Sequence, residues 1–226
     1  MIGLDWKVPD FSTLYRRQKT LVLDIASRRT GEPPHLLIDS TGIEGEGEWH
    51  ARKHGGTSRR VWREILLAID ERTLEVCAVE VSGGNVGDAP MLPELLGQIP
   101  ADREIGSVTA DGAYDTRKCH DAIAGHGADA VIPTRGNAKP WKPDTVGARA
   151  RNDIPRATRH LGRALWRRWS GYHRRSRIKT KMNGLKLLGQ RLMARDFDRQ
   201  VAEIQIRIAG LNRYTALGIP ITKPVA

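Results

Sequence analysis

"HLLIDSTGI", residues 35–43, is an apolar run with an aspartate set into it. Leu36, Leu37 and Ile38 suit a buried strand, and an ionised carboxylate beside them is expensive unless it is paired or holds a cation. The Ser-Thr-Gly that follows Asp39 reads as the end of that strand. A second stretch repeats the arrangement. "EIGSVTADGAYD", residues 104–115, is another buried strand that terminates at Asp111 and Gly112. Two carboxylates closing neighbouring strands can share hard divalent cations through their oxygens. The plain alternative is that each Asp merely closes its strand as an Asx-turn or caps the next segment.

Outward from these two stretches the chain alternates. "PDFSTLYRR" predicts a short helix capped at Pro9 and Asp10, inside an N-terminal arm and linker over residues 1–34. "VWREILLAID" and "LEVCAVEVS" predict a hairpin joined by the turn "DERT". "GGNVGDAPMLPELLGQI" predicts a helix that Pro90 and Pro93 confine to starting near them. "TRKCHDAIAGHG" predicts a helix with its apolar residues at 119, 122 and 123, and "ADAVIPT" a fifth strand stopped by Pro133. "RGNAKPWKPDTVGARARND" has no period and reads as a basic insertion or long loop. The stretch from Arg156 to Met193 reads as helical, with a break at Ser170-Gly171, and residues 197–217 as a final packing helix with 201, 204, 206, 208 and 211 apolar. The order is three strands, helix, strand, helix, strand, insertion, helices. A mixed α/β sheet flanked by helices is the architecture it predicts. That is the order of ribonuclease-H-like nucleic-acid enzymes, with chemistry at the ends of the first and fourth strands.

The net charge of +11 favours a polyanionic partner, and its placement is more informative than its size. Between Arg135 and Met193 stand 17 Lys and Arg against Asp144 and Asp153, a net of +15 that leaves about −4 for the rest of the chain. Nucleic acid is the partner this segregation points to. No apolar run approaches the roughly 18 residues of a membrane span, and the N-terminus lacks the pattern of a signal peptide. Cys77 and Cys119 have no metal-ligand spacing and read as small core residues in a reducing compartment. A cytoplasmic, nucleoid-associated protein with no membrane contact is the expectation.

"LLIDSTGI", "EGEGEWHARKHGG", "VSGGNVGDAPMLPELL", "VTADGAYDTRKCHDAI", "RALWRRWSGYHRRSRIKTKM" and "KLLGQRLMARDFDRQVAE" together resemble the bacterial insertion-sequence DDE transposases of the insertion-sequence-five type. The resemblance runs from about Gly3 to Leu217. It implies one ribonuclease-H-like domain over residues 35–217, with a basic insertion at about 135–160 and a tail at 218–226. It further implies Mg²⁺- or Mn²⁺-dependent cleavage and strand transfer at double-stranded transposon-end DNA, and a possible homo-oligomer. The two family aspartates fall on Asp39 and Asp111, which the resemblance makes the catalytic metal ligands. The family signature of Tyr, Arg, Glu and Lys falls on Tyr172, Arg175, Lys179 and Lys186, so a lysine stands at the third carboxylate.

A positive charge there replaces a ligand with a repulsion on the order of 4 kcal/mol at 4 Å and an effective dielectric of 20. The two-metal site is therefore expected to be incomplete and this copy catalytically impaired. Its alternative role is a DNA-binding remnant that occupies transposon ends or interferes with intact transposase. Glu203, Asp153, Asp196 and Asp198 are poorly placed in sequence to substitute. With 34 residues ahead of His35, the chain also reads as a shortened copy. Tyr172, Arg175, Lys186 and Trp141 are the expected DNA-binding residues, with Tyr172, Arg175, Lys179 and Lys186 on one helical face. Trp166 and Trp169 read as core. His50 and His54, in a Gly-rich loop, read as DNA-facing rather than metal-binding.

Overall fold

The computed structural model describes residues 9–21, 23, 25, 27–28, 30–45, 61–84 and 86–218. The loop holding His50 and His54 and all but the first residue of the tail lie outside the described residues. In chain order the elements are α1 (Phe11–Thr20), β1 (His35–Gly45), β2 (Val61–Asp70), β3 (Val76–Gly83), α2 (Asp88–Gly97), β4 (Ser107–Thr109), a 3₁₀ turn (Gly112–Tyr114) and α3 (Arg117–Gly125). They continue with β5 (Asp129–Val131), α4 (Val146–Leu161), α5 (Arg163–Trp169), a second 3₁₀ turn (Tyr172–Ser176), α6 (Arg177–Leu187), β6 (Arg191–Leu192) and α7 (Phe197–Leu217).

One mixed sheet runs β3-β2-β1-β4-β5, with β6 pairing the far end of β1. The hairpin strands are antiparallel, whereas β4, β5 and β6 join parallel. Period-two alternation sorts the strand residues onto two faces. Leu36, Ile38, Leu66 and Ala68 pack under α2 and α3 with Leu95, Cys119 and Ile123. Leu37, Ile43, Ile65, Leu67 and Ile69 pack under α6 and α7 with Ile178, Leu185, Ile204 and Ile208. This is the helix-flanked mixed sheet that the element order predicts. Among the described residues no helix is long and apolar enough to cross a membrane.

Several local expectations are corrected. β1 does not end near Asp39 but continues to Gly45, because β2 pairs with it from Leu36 through Gly45. β4 ends earlier than expected, at Thr109, and Asp111 caps the 3₁₀ turn behind it. The second half of the basic insertion is helix α4 rather than loop. Thr145 caps it by accepting from the Ala148 N–H, and Gly147 lets it lie against α3, where a Cβ would come within 2.5 Å of the His120 carbonyl carbon. The basic helical stretch breaks twice, at Gly162 (φ 77°) and Gly171 (φ 74°). In α7, Ile206 faces outward while Ile204 and Ile208 are buried. Trp166 is buried as expected, but Trp169 is 73% exposed, because a short helix packs only one face on the core.

Candidate active site

The register of β1 and β4 brings the two aspartates together. His35, Leu36 and Leu37 pair with Ser107, Val108 and Thr109 in parallel. Continuing that register by two residues sets Asp39 beside Asp111, and the period of two turns both toward the face that carries Leu37. Each carboxylate has one oxygen engaged locally. Asp39 Oδ1 accepts from the Ser40 N–H at 3.1 Å, and Asp111 Oδ1 accepts from the Ala113 N–H at 2.8 Å. The capping reading and the cation reading of these residues thus hold different atoms. The Oδ2 atoms both face one cation. Arg175 Nη1 lies 3.1 Å from Asp39 Oδ2 and 3.9 Å from Asp111 Oδ2.

Arg175 reaches the pair from the second 3₁₀ turn. The signature residues therefore do not lie on one continuous α-helix; Tyr172 and Arg175 sit on three-residue repeats, which eclipse i and i+3, and the α-helix begins at Arg177. The Arg175 guanidinium stands 6.0 Å from the Tyr172 ring centroid, and that ring also meets Trp166 and Arg167. On either side the backbone is anchored to the hairpin turn: Arg174 donates to the Glu71 carboxylate and Arg177 to the Glu71 carbonyl. Lys179, one turn further on, is exposed and forms no ion pair among the described residues. Lys186 lines a groove with Gly42, Trp62, Asn183 and Gln190, and its charge acts on Glu64.

Behind Asp39 is a second acidic group that sequence reading missed. Ser40 Oγ donates to Asp88 Oδ2 at 2.6 Å. Glu64 lies nearby on β2, its pKa raised by burial first and by the Asp88 charge, with Ser40 and Lys186 opposing. Tyr114 is buried with its hydroxyl unpartnered. Burial, and then the charges of Asp88, Asp111 and Asp39, push its pKa up. An acid inside an apolar strand (Glu64) and one opening the helix after a Gly run (Asp88) were the available signals.

Trp141 is placed differently from the other expected DNA residues. Its ring packs against the Arg151 guanidinium at 4.3 Å and edge-on to His120 at 5.4 Å, and Asn152 exchanges two hydrogen bonds with its backbone. It fastens α4 to α3. The same corner holds Asp115, which accepts two hydrogen bonds from Arg151 at 3.0 and 2.9 Å and one contact from His120. The acids weighed as substitutes are occupied elsewhere. Glu203 accepts from the Met193 and Ala194 N–H groups, Asp153 pairs with Arg156, and Asp196 caps α7. Asp198 lies in the first turn of α7.

Charge and donor chemistry at Asp39 and Asp111 fit a hard divalent cation, since two carboxylate oxygens already share one positive group. Among the described residues no group of three or more His, Cys, Asp or Glu is arranged to hold a metal ion. The fit is therefore to a cation held by two carboxylates. The family described as Transposase DDE domain matches residues 30–213, and a second family of the same description matches residues 1–48.

Proposed function

The chain belongs to the DDE transposase family, and on that premise we propose that it acts at the phosphodiesters of transposon-end DNA through Asp39 and Asp111, with its cleavage step impaired. The observation that carries this reading is the pair of Oδ2 atoms, brought into register by β1 and β4 and turned toward one cation. Asp39 and Asp111 would hold Mg²⁺ or Mn²⁺, which when bound supplies Lewis acidity at a phosphoryl oxygen. The chain's own residues supply the rest. The segment from Arg135 to Met193 attracts the phosphate backbone, and Tyr172 with Trp166 seats the turn that carries Arg175.

Lys179 stands at the position of the third carboxylate, and it is exposed. With a lysine in that place, and with Asp88 already engaged by Ser40, the site holds one cation poorly and a second not at all. The same observation favours a second reading, a non-catalytic DNA-binding module that occupies transposon ends or joins intact transposase.

The discriminating experiment is divalent-dependent cleavage of a labelled transposon-end duplex by the protein and by Lys179→Glu. We expect cleavage by the glutamate variant alone, abolished by adding Asp39→Ala. Comparable Asp39-dependent cutting by the unaltered protein would overturn the impairment. Failure of both to cut, with a steep salt dependence of binding, leaves the binding module as the function.

A further inference from the structure

Arg175 places one positive nitrogen between both carboxylates, and that contact is incomplete. Nη1 is buried, lies 3.1 Å from Asp39 Oδ2, and still completes no hydrogen bond. An arginine fork owes much of its strength to aligned N–H bonds. Held by charge alone, a guanidinium keeps a donor unpaired, and a buried unpaired donor is costly. The charge is satisfied while the hydrogen-bonding capacity is not.

Phosphate oxygens are the acceptors that would complete it. The residues flanking Arg175 are tied to Glu71 by their side chains, Arg174 to its carboxylate and Arg177 to its carbonyl. A change of partner is therefore a movement of one side chain and not of the helix. With Arg175 in place, Lys179 forms no ion pair with either carboxylate among the described residues.

From this geometry, and resting on the reading of Asp39 and Asp111 as cation ligands, we propose that Arg175 is the positioning residue that couples cation binding to DNA binding. Without DNA it neutralises the carboxylate pair and competes with the divalent cation. A DNA phosphate draws the guanidinium to itself and frees both Oδ2 atoms. Cation and DNA then bind with positive cooperativity, and by linkage each tightens the other by the same factor.

The test is Mn²⁺ binding to the full chain, followed by water-proton relaxation at fixed ionic strength. Wild type, Arg175→Gln and Asp39→Asn are titrated with and without a short duplex, and duplex alone is subtracted. Arg175→Gln should bind Mn²⁺ about tenfold more tightly than wild type without DNA, within the usual range of coupling between sites. The duplex should tighten the Asp39-dependent Mn²⁺ of wild type about fivefold or more, and that of Arg175→Gln much less. Equal, Asp39-dependent affinities in both proteins would overturn the coupling and leave the ligand assignment standing. Binding indifferent to Asp39→Asn would remove the ligand assignment and the coupling together. Should Arg175→Gln fail to fold by circular dichroism, wild type decides alone: a duplex that leaves its Asp39-dependent affinity unchanged refutes the proposal.

Discussion

Asp111 and Asp115 lie four residues apart, and each meets an arginine from the basic segment of the chain. Asp115 meets Arg151 in a buried, two-pronged pair with bonds of 3.0 and 2.9 Å, the side chains 9% and 3% exposed. Asp111 meets Arg175 at 3.9 Å, is 39% exposed, and receives no aligned bond from it. The first pair has the geometry of a clamp, in which every charge is answered and nothing has room to exchange. The second keeps oxygens and a donor in reserve. A fold can spend similar residues on holding a turn still and on leaving its neighbour open to a ligand, and alignment separates the two uses.

The most damaging way to probe the difference is to cut the clamp. Arg151→Ala leaves Asp115 buried without its main partner, and loss of one member of such a pair costs about 3–5 kcal/mol, to be read from urea unfolding. The same clamp has a signature in acid. Burial raises the Asp115 pKa, but hydrogen bonds from His120 and Arg151 outweigh it and hold the carboxyl below its ordinary value of 3.8. A carboxylate lowered in the folded state contributes stability that is present above the unfolded value and is lost as pH falls through the folded one. Stability measured from pH 6 downward should therefore show a component that disappears below about 3.8, and that component should be missing in Arg151→Ala.

A smaller effect is expected where α4 touches α3. Gly147→Ala sets a methyl within 2.5 Å of the His120 backbone, and overpacking of that kind costs about 1–3 kcal/mol. Thermal unfolding checks it. A loss near zero would mean that the clamp does not depend on this close approach. The smallest change belongs to the open pair. Asp39→Asn should cost less stability than either, because Arg175 makes no aligned bond to it and keeps Asp111 as a partner, while removing Mn²⁺ binding. A loss as large as that of Arg151→Ala would show that both pairs are structural and would erase the contrast.

Much of the fold was legible in the chain. Period-two runs bounded by turn residues marked the first three strands. Asp10, Thr116 and Asp196 capped helices where local chemistry allows. The two-residue β6 was missed, because a pairing that short leaves no periodic trace. The first part of the insertion helix, ahead of Arg156, was missed for another reason. α4 carries Pro155 and a run of charge, and its docking depends on Arg151 reaching Asp115 across 36 residues. The site divides in the same manner. Asp39 and Asp111 were visible as acids inside apolar runs. Asp88 and Glu64 were missed, because their approach to Asp39 and Ser40 is made by packing between elements.

What the sequence determined by itself is the class of the molecule: a mixed sheet, two aspartates at strands one and four, and a basic segment from Arg135 to Met193. These follow from periodicity and composition, which act between near neighbours. Which cation the aspartates meet was decided only by the tertiary structure. Arg175 was expected on a phosphate, and Lys179 beside the metal site. The strand register and the 3₁₀ turn bring Arg175 to the carboxylates, and Lys179 is exposed. Pairing across 136 residues depends on how two separately legible elements are packed against each other, and no local pattern in either one encodes that.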